Sequence, residues 1–278
     1  MFEARKLIIA TQHQKEKVIA PPLEKQFKLK CIVPIMFDTD KWGTFTGEIE
    51  RKEDAYQTVR QKCLAAMDHE GFDLGVASEG SFGPHPSFGF INADDELVIL
   101  IDKKNNLEIV AREISITTNY NSREIKTIAE LFEFAEQAKF PSHHLILKNS
   151  KTSSFEQTKG ISNKEQLIRV FHQLKSSSET VIVETDMRAM CNPTRMSVIE
   201  KATLKLVNKL LSACPQCLIP GFDIVDAKSG LPCENCSFPT QSTLLHIYQC
   251  QHCQFILEKK FPYNKTKESA MYCDMCNP

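Results

Sequence analysis

Eight of the eleven cysteines fall into four C-x-x-C pairs, Cys214/Cys217, Cys233/Cys236, Cys250/Cys253 and Cys273/Cys276. Two intervening residues let both sulfurs of a tight knuckle point at one ion. Four pairs therefore supply two tetrahedral sites of four thiolates each, the closed coordination of structural zinc. Fifteen residues separate pairs one and two, nineteen separate pairs three and four, and thirteen separate pairs two and three. All three gaps suit a zinc ribbon, so the sequence leaves open which pairs share an ion. The competing chemistry is disulfide formation. The N-terminal MFEARKLIIATQHQ has no small-residue cleavage site, which predicts a cytoplasmic setting where thiols stay reduced. His246 and His252 lie near the knuckles, but four cysteines per site leave them no vacancy. Cys31, Cys63 and Cys191 stand outside the motif and are not expected to be ligands.

A second chemistry is spelled by polar residues that close apolar runs. ATQHQKEK follows the run KLIIA and offers Thr11, His13 and Lys15 at a strand-to-helix junction, where backbone N–H groups and a lysine suit a phosphate. Glu53 and Asp54 open a helical stretch, a position that the helix dipole favours for carboxylates in any case. Glu79 follows FDLGVA directly and sits between small residues. Glu184 and Asp186 close TVIVET, and Arg188, Thr194 and Arg195 flank the next helix start. A cation in a first helical turn opposes the dipole, so Arg195 makes sense beside a bound anion or in a salt bridge with Glu184 or Asp186. Acids for a divalent cation, with lysine and arginine for phosphate oxygens, form a kit for metal-assisted attack on a nucleotide phosphate.

The elements that must position these groups alternate. Strands are expected at 6–10, 30–37, 72–77, 96–101, 107–118, 143–148 and 180–185, and helices at 53–69, 124–138, 163–174 and from Pro193 onward. Tyr56, Val59, Cys63 and Ala66 give one apolar helical face, and Ile199, Ala202, Leu206 and Leu210 another. Pro21 and Pro22 are expected to allow only short helical pieces. Asn192 before Pro193 reads as an N-cap followed by a favoured first residue. The pattern predicts an α/β domain with a mixed sheet over 1–211 and a double zinc-ribbon domain over 212–278, with GFDIVDAKSG as a hairpin between knuckles and two strands flanking Cys250 and Cys253. Net charge is −1 and hydrophobic content 42%, which gives material for a core and no basic footprint for nucleic acid. No apolar run reaches the roughly 20 residues of a membrane span.

In order, LIIATQHQKEKVI, EDAYQTVRQKCLAA, LGVASEGSF and PTRMSVIEKATLKL resemble the elements of the inosine/xanthosine triphosphatases, a superfamily of pyrophosphatases for non-standard purine nucleoside triphosphates. The similarity spans residues 6–211 through these four segments. It implies a mixed α/β sheet with a cleft and Mg²⁺-dependent release of pyrophosphate. By the resemblance, Thr11, His13 and Lys15 match the triphosphate-binding turn, Glu53 or Asp54 with Glu79 the metal-binding acids, and Thr194 and Arg195 the Thr-Arg pair of the late helix. The chain departs from the pattern at His13, where the family has asparagine, at Pro21-Pro22, and in the ETDMRAMCNP acids and the cysteine module. As a whole it resembles an uncharacterised bacterial family of unknown function that joins such a core to a cysteine-rich module.

Two functions follow as expectations. One is a Mg²⁺-dependent nucleotide phosphohydrolase, with Glu79 and Glu53 or Asp54 on the metal, Asp186 or Glu184 positioning water, and Lys15, Arg188 and Arg195 on phosphates. The other is a non-enzymatic module whose zinc ribbons contact a protein or nucleic acid. Lys228, Lys259, Lys260, Lys265 and Lys267 are the ribbons' basic residues, too few for strong phosphate-backbone binding.

Overall fold

Buried apolar runs set the first sheet. In the computed structural model, which describes residues 1–35, 37, 53–149 and 157–278, β1 (Lys6–Ala10) lies between β2 (Lys30–Ile32) and β3 (Leu74–Pro84), parallel to both. β4 (Asn92–Asp102) and β5 (Leu107–Ser115) continue the sheet antiparallel, giving the order β2-β1-β3-β4-β5. The 30–37 strand stops early, at Ile32, and its Met36 lies outside the described residues.

Between β1 and β2 runs α1 (Glu16–Phe27), twelve residues with both prolines inside. This corrects the expectation of short pieces. The prolines remove two N–H donors, but Pro21 is exposed and Pro22 half-buried, while Ile19 and Leu23 hold the inner face. The carbonyls left without partners are those of Lys17 and Val18, outside the buried face, where water can serve them. Helix α2 (Ala55–Glu70) packs on the other side of the sheet, where Val59, Cys63, Ala66 and Met67 meet Ile8, Ala10, Ala77, Ile99 and Ile101.

The first sheet is mixed, as expected, and the remaining strands build a second, antiparallel sheet. β6 (Ser122–Ile125), β7 (Leu145–Asn149), β8 (Gln157–Ile161) and β9 (Val181–Thr185) pair antiparallel in the order β6-β9-β7-β8. Helices α3 (Ile128–Gln137) and α4 (Lys164–Lys175) complete its core around Phe134, Leu167 and Phe171. Residues 124 and 125, which read as the start of a helix, belong to β6, because Thr127 caps α3 with a reciprocal Thr127–Glu130 box.

Helix α5 (Pro193–Leu211) is capped by the Asn192 side chain, which accepts from the Arg195 N–H at 3.0 Å. Lys205 of α5 reaches Glu113 and the Arg112 carbonyl on β5. The chain divides into two compact units, Met1–Val207 and Asn208–Pro278. The second holds an antiparallel sheet of β10 (Asp223–Ser229), β11 (Thr243–Gln249) and β12 (Ile256–Lys260). Thus 221–230 is one strand, not the expected hairpin. Among the described residues, no helix is long and apolar enough to cross a membrane.

Phe134 is 1% exposed, so Phe134→Ala should cost about 4 kcal/mol by leaving a cavity. Thr127→Ala removes only a surface cap and should cost about 1 kcal/mol. Denaturant titration of both variants checks the ranking.

Candidate functional site

Strand β1 ends at Ala10, opposite Ala77, while β3 runs on to Pro84. The turn Thr11–Lys15 therefore leaves the sheet where β3 loses its parallel neighbour, the place where open α/β sheets bind ligands. Lys15 sits at the N-cap of α1 and is buried. Its ammonium donates to the Ser78 hydroxyl at 3.0 Å and the Ser78 carbonyl at 3.3 Å. Two of its three protons are so used. Thr11 is buried, and its hydroxyl accepts from the His13 N–H at 3.3 Å.

Alternation along β3 puts Ser78, Gly80 and Phe82 on one face and Glu79 on the other. Across the ladder Gly80 faces Glu96 and Phe82 faces Asp94. Arg195, from the first turn of α5, enters this face. Its Nε donates to Glu96 Oε1 at 2.6 Å, its Nη1 to the Met187 carbonyl, and its guanidinium lies 5.1 Å from the Phe82 ring centre. Arg195 and Glu96 are both 0% exposed. A Cβ on Gly80 would fall 2.3 Å from Glu96 Oε1 and 2.7 Å from Arg195 Nη2, so the pair needs glycine there. Asp94 is 1% exposed. Neither of its carboxyl oxygens has a hydrogen-bond partner, and neither does Glu96 Oε2.

The electrostatics tie these groups together. Burial, then the Glu96 charge, push Asp94 up to about 8 against the pull of Arg195 and Lys15. Burial, then the Arg195 charge, push Lys15 down to about 8. Half-buried His13 is driven down to about 4 by burial and then by Lys15, Arg195, Arg188 and Lys62. At neutral pH it is an uncharged imidazole among cations.

On the opposite face, Lys62 of α2 donates to Glu79 Oε2 at 2.6 Å, and both are buried. Asp54 is exposed and serves as the N-cap of α2, accepting from the Gln57 N–H at 2.8 Å. Glu53 is exposed just ahead of it. Glu79 is thus ion-paired with Lys62. Among the described residues, groups of three or more possible metal ligands occur only in the cysteine unit.

Asp186 is 0% exposed and accepts from the Arg188 side chain, the Arg188 N–H and the Gly160 N–H at 2.6 to 3.1 Å. Burial opposes its ionisation, but the Arg188 hydrogen bond and charge outweigh that and hold it below the usual carboxylate range. Glu184 is half-buried, paired with Lys148 and accepting from the Ser122 hydroxyl at 3.2 Å. The Thr194 hydroxyl meets His143 Nε2 at 2.8 Å. His13 lies in electrostatic reach of Lys15, Arg195 and Arg188. Asp54, Glu184 and Thr194 are engaged elsewhere, and Glu53 is exposed. The salt bridge with Asp186 that the sequence offered Arg195 is made by Arg188, whereas Arg195 pairs with Glu96.

Sequence reasoning missed Lys62, Ser78, Asp94 and Glu96. The signal for Lys62 was a charge on the apolar stripe of α2, three residues after Val59. For Asp94 and Glu96 it was parity, since both share the face of buried Val98 and Leu100.

In the cysteine unit, Cys214 and Cys217 meet Cys250 and Cys253, and Cys233 and Cys236 meet Cys273 and Cys276, with the four sulfurs of each group within 4.8 Å of one another. The pairs interleave, one with three and two with four, unlike any of the adjacent pairings the spacing suggested. The hairpin explains this. Asp223 of β10 opposes Gln249 of β11, which brings the first knuckle to the third. At the other end Cys233 bridges to Glu268, which returns the chain after β12 to the second knuckle. Leu218, Ser237 and Gln254 each follow a knuckle in left-handed backbone, with φ of 63°, 61° and 61°, and close it by donating to the Cys214, Cys233 and Cys250 carbonyls. Two closed groups of four sulfurs are compatible with zinc.

The model of a family described as a domain of unknown function, DUF6671, matches residues 62–278. That span begins at Lys62 and takes in Ser78, Glu79, Asp94, Glu96, Asp186, Arg195 and all eight knuckle cysteines. No curated protein matches the chain. Nothing among these matches supports the triphosphatase resemblance.

The two tight glycines give a ranked test. On Gly75 a Cβ would meet Met67 Cγ at 2.6 Å, a flexible side chain that can move, so Gly75→Ala should cost about 1 kcal/mol. Gly80→Ala must part a buried ion pair and should cost about 3 kcal/mol or more. Equal losses in denaturant titration would contradict the packing described.

Proposed function

The chain belongs to the DUF6671 family, and we propose that its first unit is a Mg²⁺-dependent nucleoside triphosphate phosphohydrolase, with two structural zinc ions in the second unit. The carrying observation is the convergence of Lys15, Arg195, Asp94 and Glu96 beside neutral His13 at the end of β1. Burying so many ionisable groups is costly, and strongly shifted pKa values concentrate where chemistry is done. Lys15 and Arg195 supply fixed positive charge for phosphate oxygens. His13, Arg188 and Phe82 keep partial exposure, so on this reading substrate would approach along them. His13 adds a hydrogen-bonding nitrogen without a charge. Magnesium, when bound, would neutralise phosphate charge and polarise the attacking water. The NTP pyrophosphatase-like core, with release of pyrophosphate, is the form of this activity that the sequence resemblance favours.

The zinc unit carries six lysines, no arginine and six acidic residues between Asn208 and Pro278. Each zinc with four thiolates adds two negative charges, from 4 − 2. The unit is then acidic, which disfavours nucleic acid. Protein contact is the second reading, favoured by exposed Leu218, Tyr263, Met271 and Met275.

Hydrolysis is tested by incubating the protein with Mg²⁺ and standard and deaminated purine triphosphates, and assaying pyrophosphate and phosphate. Lys15→Met should lower kcat/KM about 100-fold, the scale of losing one charge-stabilising donor. Because Lys15 is pushed down to about 8, the free protein loses that charge as pH rises, so kcat/KM should fall above pH of about 8. Absence of either product for every nucleotide would exclude the activity.

Zinc is tested by metal analysis of single and double cysteine variants. The protein should carry two zinc ions. Cys214→Ser and Cys250→Ser, alone or together, should each leave one, and Cys214→Ser with Cys233→Ser none. A Cys214/Cys250 double variant with no zinc would contradict the interleaved pairing.

A further inference from the structure

We propose that Asp94 and Glu96 form a divalent-cation site, distinct from the acids that the sequence resemblance implied; its role in catalysis rests on the phosphohydrolase reading above. The two residues are separated by one position on β4, and the ladder with β3 runs unbroken from Leu74↔Asp102 to Pro84↔Asn92. Both carboxylates therefore leave the same face of the sheet. Opposite Glu96 stands Gly80, and the place of its missing side chain is taken by Glu96 Oε1 and Arg195 Nη2.

The independent observation is what these carboxylates lack. Both oxygens of Asp94 and Oε2 of Glu96 are buried with no hydrogen-bond partner. Two cations lie close enough to act on Asp94 electrostatically, Arg195 and Lys15, yet neither donates to it. Arg195 is directed to Glu96 Oε1 and the Met187 carbonyl, and Lys15 to Ser78. Three unpartnered, buried carboxylate oxygens on one face of β4 suit a small hard cation. Magnesium is commonly held by one or two carboxylates and completes its shell with water and substrate phosphate. Lys15 and Arg195 would meet the same phosphate from either side.

The rival acids are differently placed. Glu79 leaves the other face of β3 and pairs with Lys62, and Asp54 caps α2. Ligand chemistry also separates the two metals of the chain: thiolates take zinc, and carboxylates take the harder ion.

Mn²⁺ serves as the probe, since it prefers oxygen ligands and its free form is counted by electron paramagnetic resonance. The full chain with its zinc retained should bind one Mn²⁺. Asp94→Asn and Glu96→Gln should each weaken binding by more than the roughly 10- to 100-fold typical of losing an outer-shell partner. Glu79→Gln should retain it. Asp94→Asn breaks no hydrogen bond, so it should fold as the parent does by circular dichroism, even if Glu96→Gln, which breaks the Arg195 pair, does not. Absence of Mn²⁺ binding, or parental binding by folded Asp94→Asn, overturns the site. Mn²⁺ binding at Asp94 without nucleotide hydrolysis would keep the cation site and remove the phosphohydrolase reading. Hydrolysis that is undiminished in Asp94→Asn would keep the phosphohydrolase reading and overturn the catalytic role of the cation site.

Discussion

The ion pair between Arg195 and Glu96 constrains much of the first unit. Both side chains are fully buried, and removing one partner of such a pair leaves an uncompensated charge. The pair therefore ties the first turn of α5 to the middle of β4. It also dictates glycine at position 80, because any side chain there would occupy the space of the contact. The Met187 carbonyl, which follows β9 of the second sheet, takes a further Arg195 donor. One guanidinium thus links the five-stranded sheet, α5 and the segment leaving the four-stranded sheet. Burial shifts Lys15 down and Asp94 up, and the charges of this pair act on both as well.

The second unit solves a different problem. Its apolar core is small, with Phe222 beside Tyr248, Phe255 and the first and third knuckles. A sheet whose outer strands β10 and β12 are almost wholly exposed cannot be held by so little burial. Two four-cysteine groups at opposite ends of the hairpin, compatible with zinc, would supply what the core does not. Because the pairs interleave, an ion in either group would clamp one end of the sheet.

Much of this was legible in residue order. β1, α2, β9 and the cap at Asn192 follow from apolar runs, helical stripes and a proline at the first helical position. His13, Lys15 and Arg195 were legible as polar residues where regular elements begin or end. Long-range pairing was not. The spacing of the cysteines is equally good for adjacent knuckles, and only the β10–β11 register decides for the interleaved set. Glu96 could not be named as the partner of Arg195 because the two are 99 positions apart. Asp54 looked like a metal ligand because a capping carboxylate and a coordinating one occupy the same helix position. The prolines of α1 misled for a related reason: their cost depends on which face of the helix they occupy.

The account stands on the cluster at the end of β1 being built to receive a polyphosphate rather than only to brace the fold. Calorimetric titration of the intact protein with Mg²⁺-tripolyphosphate addresses that most directly, because it needs neither turnover nor the right base. The account predicts one tripolyphosphate per chain, with affinity that falls as salt is added and is largely lost in Lys15→Met. No heat of binding for the folded protein, or binding that Lys15→Met leaves intact, would contradict it.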